Sequence, residues 1–272
     1  MLGGCKSVID STVFESVREL LNTIEAEEDV RVLFAVESGS RAWGFHSQDS
    51  DYDVRFVYVH RKNWYLSIEY DLKRDVIERP ISNLIDLSGW DVRKALRLFA
   101  KANPPLIEWL SSQTIYKDEF GFRSKLVKLL PSYYEPRTCM YHYVHMAENN
   151  RRDYLEGPIV WIKKYLYVLR PVLAVRWIEQ NRGPVPMAFD ELLVTIQDQQ
   201  ELLAEIRNLV FKKVNGDELD RGPTIPTINN FLFSEMDRQS KIFIEKEVEP
   251  PNLMPLQEVF ANTLGDVWDS TT

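Results

Sequence analysis

Two cysteines, Cys5 and Cys139, are all that 272 residues contain. They are too few and too isolated for a disulfide framework, which fits a reducing cytoplasm. No Cys-x-x-Cys pair is present and the four histidines are scattered, so no zinc spacing exists. No run of apolar residues is long enough to span a bilayer. The opening Met-Leu-Gly-Gly-Cys mimics a lipoprotein cleavage box, but no hydrophobic segment precedes it, so it does not read as a signal. Positive charge is also scarce: 33 Lys and Arg against 41 Asp and Glu leave a formal net charge of −8. That excludes a protein coating nucleic acid through a broad basic surface, though not a local basic groove. Repeats and low-complexity segments are absent. What is present is ordinary for a soluble globular chain, 44% hydrophobic and 27% charged, and long enough for one large or two modest domains.

One stretch organises the rest: V-E-S-G-S-R-A-W-G-F-H-S-Q-D-S-D-Y-D-V-R-F-V-Y-V, from Val36 to Val59. The apolar run Val32 to Val36 reads as a buried strand and stops at Gly39-Ser40, where a short helical turn can begin. Asp51-Tyr52-Asp53 then leads into a second apolar strand, Val54 to Val59. Residues two apart in a strand share a face, so Asp51 and Asp53 are expected side by side. Two adjacent carboxylates repel unless a cation sits between them. Such hard oxygen ligands favour Mg²⁺ or Mn²⁺, which keep waters and take phosphate oxygens as further ligands. Gly39 allows close approach of the backbone, and the amides of Ser40 and Arg41 at a helix start form an anion site. One half of the stretch is thus suited to phosphate and the other to metal. The bland reading, acids that cap helices and end strands, suits Asp49 and Ser50.

An apolar strand, Gly-Ser, a spacer and Asp-x-Asp on the next strand resembles the signature of the DNA polymerase β-like nucleotidyltransferase superfamily. The fuller wording, G-S-R-A-W-G-F and D-S-D-Y-D-V-R-F-V-Y-V, is similar to a bacterial and phage branch of predicted nucleotidyltransferases assigned to RNA repair. The similarity continues through D-L-S-G-W-D-V-R-K-A-L and N-P-P-L-I-E-W-L, covering residues from about 30 to 112, and thins beyond. The resemblance implies an α+β fold: a small mixed-sheet, palm-like catalytic domain followed by an all-helical domain. It also implies two Mg²⁺ or Mn²⁺ ions, a nucleoside triphosphate substrate, and a third carboxylate on a later strand. Asp86 matches that position, as a metal ligand and acceptor of the hydroxyl proton; Asp91 competes but fits better as a helix N-cap. The leading acceptor implied is an RNA 3′ end. A protein side chain, a small molecule, or a silent nucleotide-binding module are the alternatives.

The remaining chain is arranged around that stretch. Ser11 to Glu28 carries apolar residues at helical spacing, with Ser11 or Thr12 as cap. Trp64, Tyr65, Leu66 and Ile68 read as cover for a sheet edge. Val76 to Glu78 and Leu84 to Leu87 read as short strands, and Asp91 to Ala102 as a helix on which Lys94 lies nearest Asp86 and faces phosphate. From about residue 118 the pattern is helical: 119–130, 137–156, 158–180, 188–213 and 227–246, punctuated by Pro and Gly. The expected domains are 1–115, catalytic; 116–247, helical and closing the nucleotide cleft; and 248–272, a tail with three prolines that wraps or frays. Residues 137–182 interleave cations with aromatics, and Lys163, Tyr167 and Arg170 are expected on one helical face, meeting triphosphate, base and sugar. The alternative is an amphipathic core helix whose aromatics pack and whose cations snorkel.

Overall fold

The computed structural model describes residues 9–216, 219–242 and 250–269, so Cys5 lies outside the described residues. In chain order the elements are α1 (Ser11–Glu28), β1 (Val30–Ser38), α2 (Gly39–Trp43), β2 (Tyr52–His60), α3 (Lys62–Tyr65), β3 (Val76–Ser82) and β4 (Ile85–Asp91). There follow α4 (Val92–Ala100), α5 (Pro104–Ser111), β5 (Ile115–Asp118), α6 (Phe122–Tyr133), α7 (Pro136–Tyr154), β6 (Ile159–Trp161) and α8 (Tyr165–Glu179). Last come α9 (Phe189–Leu192), α10 (Gln200–Val214), β7 (Arg221–Pro223), α11 (Pro226–Ser240) and α12 (Met254–Trp268). The α+β class expected from the sequence is what is found.

Among the described residues the chain forms two compact units. One takes in the chain up to Ala42, then Asp51–Tyr134, then the stretch from Pro250 onward; the other takes in Trp43–Ser50 and the chain from Glu135 up to Pro250. The first unit is built on a mixed five-stranded sheet ordered β3-β4-β2-β1-β5. Strand β2 runs antiparallel to β1 and parallel to β4, with Asp53 opposite Asp86. Each sheet face buries its own cluster. Val17, Leu21 and Ile24 of α1 pack with Val32, Ala35, Val54, Phe56, Ile85 and Leu87 on one side. Val36, Val57 and Val59 pack with α4, α5, α6 and α12 on the other. Both faces are covered, and β1 accordingly reads as a nearly continuous apolar run rather than an alternation.

Local chemistry explains most element ends. The Asp10 carboxylate accepts the Thr12 N–H at 2.8 Å, so Asp10 caps α1 rather than Ser11 or Thr12. Asp91 caps α4 as expected, accepting the Arg93 N–H at 2.8 Å. Asn103 caps α5, whose first residue is Pro104.

Four expectations need correction. The first unit runs to Tyr134, not 115, because β5 returns to pair with β1 and α6 buries Phe122 and Leu126 in the same core. The tail does not wrap loosely: α12 buries Leu256, Val259, Leu264 and Val267 in that core, and the Trp268 indole N–H donates to the His60 carbonyl at 2.9 Å. Tyr65 is buried, but Leu66 and Ile68 stand 79% and 103% exposed and cover nothing. The stretch expected as one helix over 158–180 begins instead with β6, which pairs with β7, and a 3₁₀ turn at Ile162–Lys164.

The second unit is helical apart from that two-stranded sheet. Its centre is α8, whose Leu166, Val168, Leu169, Val172, Leu173, Ala174 and Val175 are buried. The Trp43–Ser50 segment supplies Phe45, fully buried, with its ring edge-on to Phe189 at 5.4 Å and to Tyr167 at 6.1 Å. The aromatics in the motif's spacer are therefore packing groups of this unit. The spacer's own turn is closed by the Ser47 N–H donating to Ser50 Oγ at 3.0 Å.

Candidate active site

The site lies at the end of the first unit's sheet where β1 finishes and β2 and β4 begin. Alternation along β2 sends Val54 and Phe56 to the α1 side and Asp53 and Arg55 to the opposite face. Asp86 alternates with Ile85 and Leu87 in the same way, so Asp53, Arg55 and Asp86 share one face. The Arg55 guanidinium joins the two acids: Nη2 donates to Asp53 Oδ1 at 2.9 Å and to Asp86 Oδ2 at 2.7 Å. Its Nη1 donates to the Asp86 carbonyl at 3.1 Å and the Val54 carbonyl at 3.2 Å.

The other oxygen of Asp53 meets the glycine turn. A Cβ placed on Gly39 would stand 1.9 Å from Asp53 Oδ2, and Gly39 has φ +57°. Two independent constraints thus demand glycine: the left-handed backbone and the carboxylate lying against the Cα. Ser40, behind it, is buried, at 4% exposure. Arg41 is buried too; its Nε donates to the Asp51 carbonyl at 3.1 Å and its guanidinium lies 3.8 Å from the centre of the Tyr52 ring. That side chain ties the glycine turn to the entry of β2. Asp51 itself precedes the strand and is exposed, whereas Asp53 lies within the strand against the glycine turn.

Burial raises the Asp53 carboxyl above its ordinary value; Arg55 opposes this, while the charges of Asp86 and Asp51 add to it. Beneath lies an acid the sequence did not single out. Glu37, 0% exposed, accepts the Asp53 backbone N–H at 3.0 Å and the Tyr116 hydroxyl at 2.5 Å. Burial pushes it up to about 7, opposed by those two hydrogen bonds. An acid at the end of an apolar run reads as a strand end. Its partner Tyr116 comes from β5, far along the chain, so no local signal marks it.

Asp91 stands at the other end of β4 from Asp86, five residues or about 16 Å away along a strand. There it caps α4 and accepts the Tyr65 hydroxyl at 2.7 Å. Lys94 belongs to that end as well and pairs with Asp75 at 2.9 Å, so it does not neighbour Asp86 as expected. In the second unit, Lys163 sits in the 3₁₀ turn before α8, 3.9 Å from Asp220, so it shares no regular helical face with Tyr167 and Arg170. Tyr167 packs edge-on against Trp43 at 5.7 Å, with the Lys164 ammonium 4.5 Å from its ring centre. Arg170 is 2% exposed and donates to the carbonyls of Pro186 and Met187 at 3.2 and 3.3 Å. It is an internal strut, not a ligand-facing cation.

Among the described residues no group of three or more His, Cys, Asp or Glu side chains converges as a metal cage. The donor set nonetheless suits a hard divalent ion, since Mg²⁺ is held by one or two carboxylates and completes its shell with water and phosphate oxygens. Asp51 and the Asp53 oxygen lying against Gly39 are the groups able to hold one.

Comparison with known proteins shows the family. A family model, RlaP, the RNA repair pathway DNA polymerase beta family, matches residues 13–262. The Bacillus subtilis (strain 168) protein named "Uncharacterized protein YcgL" is 47% identical over 249 residues, spanning 91% of this chain and 95% of that one. A solved structure, a nucleotidyltransferase-like protein from Exiguobacterium sibiricum 255-15, aligns with 93% of this chain and 90% of its own at 14% identity and a TM-score of 0.31. With the motif, the sheet and a match over nearly its whole length, the chain belongs to the RNA repair pathway DNA polymerase beta family.

Proposed function

We propose that the protein is a metal-dependent nucleotidyltransferase that moves a nucleoside monophosphate from a nucleoside triphosphate to the hydroxyl at an RNA 3′ end. The observation carrying this reading is the apposition of Asp53 and Gly39: a carboxylate lying directly against a glycine turn with no Cβ between them. In that arrangement the phosphates would lie along the turn, beside the backbone of Ser40 and Arg41 at the start of a short helix. A bound Mg²⁺ or Mn²⁺ neutralises triphosphate charge and fixes the orientation of the α-phosphate. Asp51 and Asp53 would hold it, with the Asp53 backbone anchored by its N–H donating to Glu37. The acceptor oxygen forms a bond to the α-phosphorus, the bond to the oxygen bridging to the β-phosphate breaks, pyrophosphate leaves, and the hydroxyl proton passes to water. Positioning and charge neutralisation do the chemistry.

The RNA acceptor is favoured by the family's association with RNA repair. The test is incubation of the protein with each α-³²P-labelled nucleoside triphosphate and Mg²⁺ or Mn²⁺, offering total RNA and protein as separate acceptors. Label in RNA supports the reading and reveals the base used; label in protein alone shifts the acceptor to a side chain. Absence of label in both, with the triphosphate demonstrably bound, overturns the RNA assignment.

A further inference from the structure

We infer that Arg55 is the built-in second cation of this site, so that the centre takes one divalent ion, on Asp51 and Asp53, and Asp86 holds Arg55 rather than metal. The inference rests on the nucleotidyltransferase reading for its purpose but on the geometry of three side chains for its content.

Parallel pairing sets Asp53 directly opposite Asp86, and strand alternation places both on the face that also carries Arg55. Two carboxylates brought together there require a positive charge between them. The guanidinium already supplies it. A single nitrogen, Nη2, lies 2.9 Å from Asp53 Oδ1 and 2.7 Å from Asp86 Oδ2. The two carboxylates thus converge on one guanidinium nitrogen rather than leaving a gap between them for a second cation. The guanidinium is also pinned from its other end, with Nη1 on the carbonyls of Val54 and Asp86. Its side chain is only 20% exposed, so withdrawing it strands two carbonyl bonds and two carboxylates at once.

This arrangement divides the work of Asp53 between its two oxygens. Oδ1 belongs to Arg55, while Oδ2 lies against Gly39. One free oxygen from Asp53 together with Asp51 makes a two-carboxylate site, the number with which Mg²⁺ is ordinarily held beside phosphate. Asp86 is engaged by Arg55 and adds no third ligand. The resemblance points the other way, since it implies Asp86 as a third carboxylate holding metal.

The test counts Mn²⁺ bound to the full-length protein by electron paramagnetic resonance, using the metal alone, in wild type, Arg55→Gln, Arg55→Lys, Asp86→Asn and Asp53→Asn. One ion per wild-type chain is expected. Arg55→Gln should gain a second ion, whereas Arg55→Lys, which keeps a cation in place, should stay at one. Asp86→Asn should retain its ion within about threefold of wild-type affinity, and Asp53→Asn should weaken it at least about tenfold. Circular dichroism melts check that each variant is folded; should Arg55→Gln fail to fold, the wild-type count and the Asp86→Asn affinity decide alone. Two ions in the wild type, an unchanged count in folded Arg55→Gln, or loss of the ion in Asp86→Asn would overturn the inference while leaving the transferase reading standing. A wild type that binds no Mn²⁺ but transfers label overturns both the one-ion count and the metal-holding role of Asp51 and Asp53.

Discussion

Gly39 carries two demands at once, a left-handed φ and a carboxylate 1.9 Å from where a Cβ would be. Gly39→Ala should therefore cost about 1–2 kcal/mol in backbone strain alone and push Asp53 aside. An ångström-scale displacement of a metal-holding oxygen is expected to lower transfer by roughly a hundredfold, read from initial rates beside a thermal melt. Glu37 yields a pH prediction. Its carboxyl rises from an ordinary 4.5 to about 7 on folding, so between those values the unfolded chain is ionised while the folded one keeps its proton. The unfolded state then binds fewer protons, and stability falls as pH climbs from 4.5 to about 7, by up to about 3 kcal/mol in the metal-free protein. Asp91, raised by burial from 3.8 to about 6, acts in the same direction below that. Glu37→Gln should flatten the decline, as measured by urea unfolding across that range; an unchanged slope would show that Glu37 does not titrate there. The Gly39 turn and the start of β2 near Asp53 were legible in sequence because each is marked locally. Glu37 and Arg55 were not, because each acquires its role from a partner on another strand, Tyr116 for one and Asp86 for the other.

Strands and helices near the motif were readable for a plain reason: β1 and β2 are short apolar runs with β-branched residues, bounded by turn signals, and α1 and α4 show helical spacing. Two kinds of element escaped. Helix α12 follows prolines that argue for a frayed end, yet Pro255 sits at its first turn, where a missing N–H costs nothing. Leu256→Ala, at a side chain 4% exposed, should lower stability by about 2–4 kcal/mol, whereas Leu253→Ala, 49% exposed, should stay within about 0.5. Equal melting points for the two variants would mean that α12 does not hold this core. Strands β6 and β7 were missed because three residues carry too little periodicity to be told from a helix start, and their pairing joins segments some sixty residues apart. The supposed nucleotide face of Lys163, Tyr167 and Arg170 failed for the same cause. Once residues 162–164 form a 3₁₀ turn, helical spacing no longer relates Lys163 to the other two.

For the whole molecule, composition set limits that the structure leaves in force. A net charge of −8 means that attraction to phosphate must be local. Random duplex DNA should accordingly bind more weakly than about 10 µM at about 0.15 M salt, a fluorescence-anisotropy measurement that a tight, sequence-blind complex would contradict. Among the described residues no helix is long and apolar enough to cross a membrane. The division into units was visible as a change of texture but misplaced, since a contact pattern that returns in β5, α6 and α12 leaves no composition shift behind it. The central claim, that Asp53 and its glycine turn make this chain a nucleotidyltransferase, is tested most directly by one comparison. Transfer of α-³²P label into RNA would be followed in wild type and Asp53→Asn, both with Mn²⁺ and both verified as folded. The account predicts transfer by the wild type and a loss of about a thousandfold or more in the variant. Equal transfer by the two proteins would contradict it.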